Sequence, residues 1–243
     1  METDRQDIYQ REFKVRSMDV DLYRRMRLSA MFTMFQDAAI EHTTQLGAGR
    51  EKTLDKGLLW VVTHQYARII RMPEYDEKLV MKSWPGKTIH LFFPRFCQIT
   101  DAEGQVLVSS SAYWVLMDQK TRKAAFPEEH EIVLEGAKGI PEIPVPKRFK
   151  AEQTDGETIF TVPYSYLDLN GHMNNVHYYD LAMDHLPQEI HRENITEIVT
   201  EYIGEARLGE KIRLKYGKQD HTYYLSGEKE KTVFRMKIET VSS

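Results

Sequence analysis

Slid against itself by 147 residues, the distance from Phe13 to Phe160, the sequence pairs Phe13, Val15, Asp21, Leu22, Met26 and Asp37 with Phe160, Val162, Asp168, Leu169, Met173 and Asp184. All six identities fall in one ungapped window, residues 13 to 37, where average compositions would give about one or two by chance. A chain that repeats in this way folds as two copies of one unit. Coincidence between two similar strand-to-helix segments is the competing explanation.

Both copies read alike along their length. Each opens with a short strand (Phe13 to Val15; Phe160 to Val162), passes an Asp-Leu turn and enters a helix. In the first copy Leu28, Met31, Phe32, Phe35 and Ala39 recur at helical spacing, a stripe that packs one face of a helix against a core. Strands are predicted next at Leu59 to Ile69, Lys78 to Ser83, Phe92 to Ile99 and Val106 to Met117, with a turn at Asp101 to Gly104. The second copy repeats them at Ile198 to Ala206, Lys211 to Tyr216, His221 to Gly227 and Val233 to Glu239. In the last of these Phe234, Met236 and Ile238 share one face, as a half-buried antiparallel strand requires. Pro141, Pro144 and Pro146 deny helix and central-strand pairing between the copies, so the chain divides into residues 1–134, a linker at 135–149 and residues 150–243. The predicted fold class is α+β, a tandem (double) hot-dog in which each antiparallel sheet wraps a central helix and the copies pair as hot-dog subunits do.

Composition fits that reading and removes several functions. A chain of 243 residues with 41% hydrophobic content can hold two cores of roughly 100 to 120 residues each. A net charge of −4 argues against nucleic-acid binding driven by clustered cations. The longest apolar run, Leu58 to Val62, falls far short of the roughly 20 residues that cross a bilayer, so no membrane insertion is expected. Met1 to Asp7 is charged and lacks an apolar leader, and Cys97 is the only cysteine; together they predict a cytoplasmic protein. Among His172, His177, His185 and His191 none shows the spacing of a helical His-x-x-x-His, and no phosphate-binding glycine fingerprint occurs. No metal and no cofactor are expected.

The second copy carries an unusual polar cluster, Asp168-Leu-Asn170-Gly171-His172-Met-Asn174-Asn175, just before its helix. A turn plus a helix cap accounts for Gly171 and one asparagine but not for Asp168, Asn170 and His172. The unpaired N–H groups at a helix start near Asn174 and Asn175 would suit an oxyanion. In the first copy Tyr23, Arg25, Arg27 and Leu28 stand in place of Asn170, His172, Asn174 and Asn175, as expected if one copy alone does chemistry. On the following strand Glu201, Ile203 and Glu205 would share a face, which could bring a carboxylate to the helix start or simply be a solvated surface.

The stretch from Asp168 to Asn175, followed by Glu201-Tyr202-x-x-Glu205, resembles the fatty acyl-ACP thioesterases of plants and their bacterial relatives, which are tandem hot-dog proteins. The resemblance spans essentially the whole chain and implies a cytoplasmic bacterial hydrolase that releases free fatty acid from acyl carrier protein (ACP). It further implies that Asp168, Asn170, His172 and Glu205 form the catalytic set. On this reading Glu205, helped by His172, activates a water while Asn170 holds it and Asp168 orients the others. Plant members have a cysteine directly after the glutamate; this sequence has Ala206, so no thiolate acts there, and Cys97 matches nothing catalytic. An acyl chain needs an apolar pocket, for which Met31, Phe32, Met34, Phe35 and Trp60 are candidates. Acidic ACP implies a basic docking face, with Arg24, Arg25 and Arg27 or Lys120, Arg122 and Lys123 as candidates. An acyl-CoA thioesterase and a non-catalytic acyl-ACP or fatty-acid binding module are the alternatives, and a homodimer is left open.

Overall fold

Strands β1 (Tyr9–Lys14) and β7 (Gly156–Thr161) lie 147 residues apart, on the register of the repeat. The computed structural model describes residues 7–137, 143, 149–150 and 154–242. Helix α1 (Leu28–Gln45) buries the predicted stripe of Leu28, Met31, Phe32, Phe35 and Ala39 and adds Ala38 and His42 to it. Helix α2 (His177–His185) is half as long. Pro187 explains the stop, because a residue before proline is pushed out of the helical region, and Leu186 has ψ 157°.

The first half continues through β2 (Leu58–Ile69), β3 (Lys78–Pro85), β4 (Phe93–Thr100) and β5 (Val106–Asp118), with the short β6 (Ala124–Ala125) paired to β5. The second half supplies β8 (Asn194–Tyr202), β9 (Lys211–Gln219), β10 (Thr222–Glu228) and β11 (Thr232–Val241). The strand order is β1-β3-β4-β5-β2-β8-β11-β10-β9-β7, antiparallel throughout. Read from its centre, the order is the same in both directions. The seam is the β2–β8 pairing, which runs from His64 opposite Glu201 to Arg68 opposite Glu197. The fold is a double hot-dog.

One strand departs from expectation. β8 ends at Tyr202 rather than Ala206, because the Ile203 and Gly204 N–H groups both donate to the Val233 carbonyl, at 2.8 and 2.9 Å, and the chain leaves the ladder there. The predicted linker, residues 135–149, lies mostly outside the described residues. Among the described residues no helix is long and apolar enough to cross a membrane.

The main core joins both halves. Phe32 of α1 stacks on Tyr179 of α2 with ring centroids 3.9 Å apart and planes 11° from parallel, and both rings are fully buried. Tyr179 keeps its hydroxyl satisfied by donating to Gln65 Oε1 at 3.2 Å, on seam strand β2. A buried aromatic cut to alanine loses its transfer energy and leaves a cavity, together about 3–5 kcal/mol. Phe32→Ala should therefore lower stability by about 3–5 kcal/mol in urea or guanidinium unfolding, and a change under about 1 kcal/mol would show that the helix pair does not carry the core.

Candidate active site

The polar cluster sits on a turn that the two copies share. Asp168 Oδ1 accepts the backbone N–H groups of Asn170 at 2.8 Å and His172 at 3.3 Å, and its own N–H donates to the His172 carbonyl at 2.8 Å. In the first copy Asp21 does the same work, accepting the N–H groups of Tyr23 at 2.8 Å and Arg25 at 3.0 Å. The tight bend needs a left-handed residue in both, Gly171 at φ 74° and Arg24 at φ 65°. Asp168 thus shapes the loop and also holds the Asn170 amide, which donates to its Oδ2 at 3.3 Å.

The loop is pinned beside the segment that follows β8. Met173 N–H donates to the Ala206 carbonyl at 2.8 Å and His172 bridges Arg207. Leaving the sheet at Tyr202 turns Glu205 toward this loop, and His172 Nε2 lies 3.0 Å from Glu205 Oε2. The predicted shared strand face of Glu201, Ile203 and Glu205 does not exist. Glu201 is buried and paired with Arg235 at 3.6 Å, while Ile203 is half exposed. In the first copy Met26 N–H donates to Pro73 O, so Met72 occupies the position of Glu205 and Arg25 that of His172. That copy lacks the acid and the imidazole together.

Arg122, which the sequence suggested only as part of a surface cluster, is turned inward. Asp118 Oδ1 accepts the N–H groups of Lys120 and Thr121, at 3.1 and 2.7 Å, and this turn places Arg122 against Glu205 Oε1 as an ion pair across the two halves. Arg207 lies 3.5 Å from Glu205 Oε2. The other proposed docking cluster is also partly occupied. Arg25 is bound to Asp21 and donates to the His191 and Glu193 carbonyls, and Arg27 donates to the Met18 carbonyl. Burial, then the positive charges of Arg122 and Arg207, hold the His172 pKa below its ordinary value, with Asp168 opposing them. The imidazole is neutral at neutral pH.

At the start of α2 Asn174 builds the turn rather than capping the first helical residue. Its Oδ1 accepts the Val176 N–H at 3.1 Å and its carbonyl the His177 N–H at 3.0 Å. Those two donors are engaged, whereas among the described residues no acceptor meets the Asn175 N–H.

His172, Asn170, Asp168, Asn175 and Glu205 line one end of a cavity of about 610 Å3. Of the five expected acyl-pocket side chains only Trp60 lines it. Met31, Phe32 and Phe35 belong to the helix core, and Met34 faces a separate depression beside Met81 and Val176. The cavity instead takes an adjoining face of α1, Gln36, Ile40 and Thr43, with Ala39 on the border between that face and the core stripe. Helical spacing alone could have flagged that face, but not which of the two meets the cavity. Cys97 lies on β4, buried, its thiol raised to about 11 by burial and bonded to Ser83, away from the cavity lining.

Comparison with known proteins agrees with this architecture. The sequence matches the acyl-ACP thioesterase N-terminal domain over residues 6–133 and the acyl-ACP thioesterase C-terminal domain over residues 149–242. The chain belongs to the acyl-ACP thioesterase family. It is 26% identical over 211 residues to a chloroplastic palmitoyl-acyl carrier protein thioesterase of Cuphea hookeriana, matching 80% of this chain and 51% of the relative. It is 24% identical over 225 residues to the chloroplastic oleoyl-acyl carrier protein thioesterase 2 of Arabidopsis thaliana, matching 79% of this chain and 58% of the relative. The chain thus spans about half the length of the curated relatives it matches. Among solved structures it superposes on a 12:0-ACP thioesterase from Umbellularia californica with TM-score 0.84 at 20% identity, covering 98% of each chain. An acyl-ACP thioesterase from Bacteroides thetaiotaomicron gives TM-score 0.82 at 21% identity, covering 97% of this chain and 98% of that one.

Because Arg122 is the second cause of the depressed His172 pKa, removing it should raise that pKa. An NMR titration should find the His172 ring protonating below 6.5 in the wild type and at higher pH in Arg122→Ala. An unmoved midpoint would remove Arg122 from the electrostatics of the site.

Proposed function

We propose that this protein hydrolyses the thioester of fatty acyl-ACP, releasing free fatty acid and holo-ACP, with residues 150–243 holding the chemistry, residues 1–134 shaping the acyl pocket and residues 135–149 linking them. The observation that carries the reading is the His172–Glu205 contact of 3.0 Å on the wall of a cavity that reaches into the other half. An imidazole kept neutral at neutral pH can accept a proton from water, and a carboxylate beside it holds the ring in one tautomer and stabilises the imidazolium that forms. Glu205 is itself ion-paired to Arg122 and lies near Arg207, contacts that hold its carboxylate in place and suit it to the orienting role. His172 is then the proton acceptor, reversing the order that the sequence suggested.

The water attacks the thioester carbon and its proton passes to His172. The carbonyl oxygen takes up the negative charge, met by the Asn175 N–H and the Asn170 amide; the tetrahedral intermediate then collapses, the C–S bond breaks, and the departing sulfur takes that proton from His172 to leave as the thiol of holo-ACP. Asp168 is a positioning residue, holding Asn170 through its Oδ2 and the loop through its Oδ1. Membership of the acyl-ACP thioesterase family supports ACP as the carrier. A reducing, cytoplasmic bacterial setting accords with a lone, buried Cys97.

Positioned acid–base catalysis is worth about 10² to 10⁴ in rate. His172→Ala and Glu205→Gln should each lower kcat/KM for acyl-ACP by about that factor in a thiol-release assay, with unchanged unfolding midpoints. Wild-type kcat/KM should fall at acid pH with a midpoint below 6.5, since His172 must be neutral to act. Turnover retained in both variants would sink the assignment. Higher kcat/KM on the CoA thioester of the same chain would reassign the carrier.

A further inference from the structure

The wall of the cavity is not purely apolar. Arg95, on β4, is 5% exposed and lines it. Its guanidinium donates to His42 Nδ1 at 2.9 Å, to the Ala39 carbonyl at 2.8 Å and to Thr43 Oγ1 at 2.7 Å, none of them a carboxylate. Among the described residues no carboxylate pairs with it. Burial lowers its pKa to about 10, so the guanidinium remains a cation at neutral pH. Such a charge is expensive to bury unless something compensates it. On the same helix face as Thr43, the Gln36 Oε1 atom is buried with no hydrogen-bond partner, and Gln36 also lines the cavity.

These groups are ordered along the cavity. Phe32 of α1 stacks on Tyr179 of α2, and Gln36 lines the cavity together with Asn174 and Asn175 just before α2, near the reacting loop. Ala39 and Thr43, with Arg95 bound to them, come one and two turns further in. A plain hydrocarbon chain would lie against a buried cation and an orphan acceptor and satisfy neither. Resting on the hydrolytic reading above, we propose that the preferred acyl chain carries an oxygen, a hydroxyl or oxo group, that accepts a hydrogen bond from Arg95. A hydroxyl nearer the thioester would donate to Gln36 Oε1. The cavity thus selects an oxygenated acyl chain.

The test uses three acyl-ACP substrates of one chain length, saturated, hydroxylated and oxo-substituted, with the oxygen scanned along the chain. At its best position an oxygenated chain should exceed the saturated one in kcat/KM by at least about tenfold, the value of one hydrogen bond to a charged group. Arg95→Met should abolish that preference, bringing kcat/KM for the oxygenated chains down to that for the saturated chain measured in the same variant. Gln36→Leu, which leaves the Arg95 contacts to α1 in place, should reduce the hydroxylated chain by a larger factor than the oxo or saturated chain and keeps the proposal testable where Arg95→Met fails to fold. A saturated chain hydrolysed as fast as every oxygenated one, or an equal loss on all three substrates in the variants, would overturn it. Should no thioester be hydrolysed, competition of the free acids for the cavity separates the two claims. Tighter binding of the oxygenated acid would uphold the cavity assignment while the hydrolytic reading falls, and equal binding would overturn the assignment.

Discussion

The pairing of β2 with β8 is the constraint on which the rest depends. Each half-sheet alone would present a long row of unpaired N–H and C=O groups at that edge, a liability for any sheet. Pairing His64–Arg68 with Glu197–Glu201 removes both edges at once and fixes how the halves face each other. With that register set, the turn after β5 comes to the loop after β8, and Arg122 of one half reaches Glu205 of the other. The Phe32–Tyr179 stack closes the same relation on the helix side, and Gln65 ties the Tyr179 hydroxyl back to the seam.

Duplication kept the scaffold and changed its cargo. Asp21 and Asp168 organise the same bend through the same pair of backbone bonds, yet the bend presents Arg25 in one copy and His172 in the other. Arg25 is used structurally, tying its loop to the His191 and Glu193 carbonyls of the second half. His172 meets an acid and two guanidinium groups instead. One loop became a strut and the other brought an imidazole to a carboxylate because the residues that face them differ, Met72 against Glu205.

Two adjoining faces of α1 serve two purposes. Leu28, Met31, Phe32 and Phe35 go into the core, which stabilises the pairing of the halves. Gln36, Ala39, Ile40 and Thr43 are left to the cavity, where Arg95 crosses from β4 to bind the helix. Apolar size at a helical position therefore says little about contact with a ligand. The largest apolar residues of α1 are committed to the core, and the smaller, more polar ones line the lumen.

The repeat, the helix stripe and most strands were legible in the sequence because each rests on local periodicity, which reports which side of an element is buried. The polar cluster from Asp168 to Asn175 was legible for a similar reason, since a turn aspartate and a left-handed glycine act within a few residues. Glu205 was found through family resemblance, but its placement on a strand face was not right, because the break at Ile203 and Gly204 depends on Val233 of a later strand. Arg122 and Arg95 were not legible as parts of the cavity at all. Their partners lie far away in sequence, and only the sheet register and helix packing decide which distant groups meet; periodicity tells a residue to turn inward without saying what it will find there.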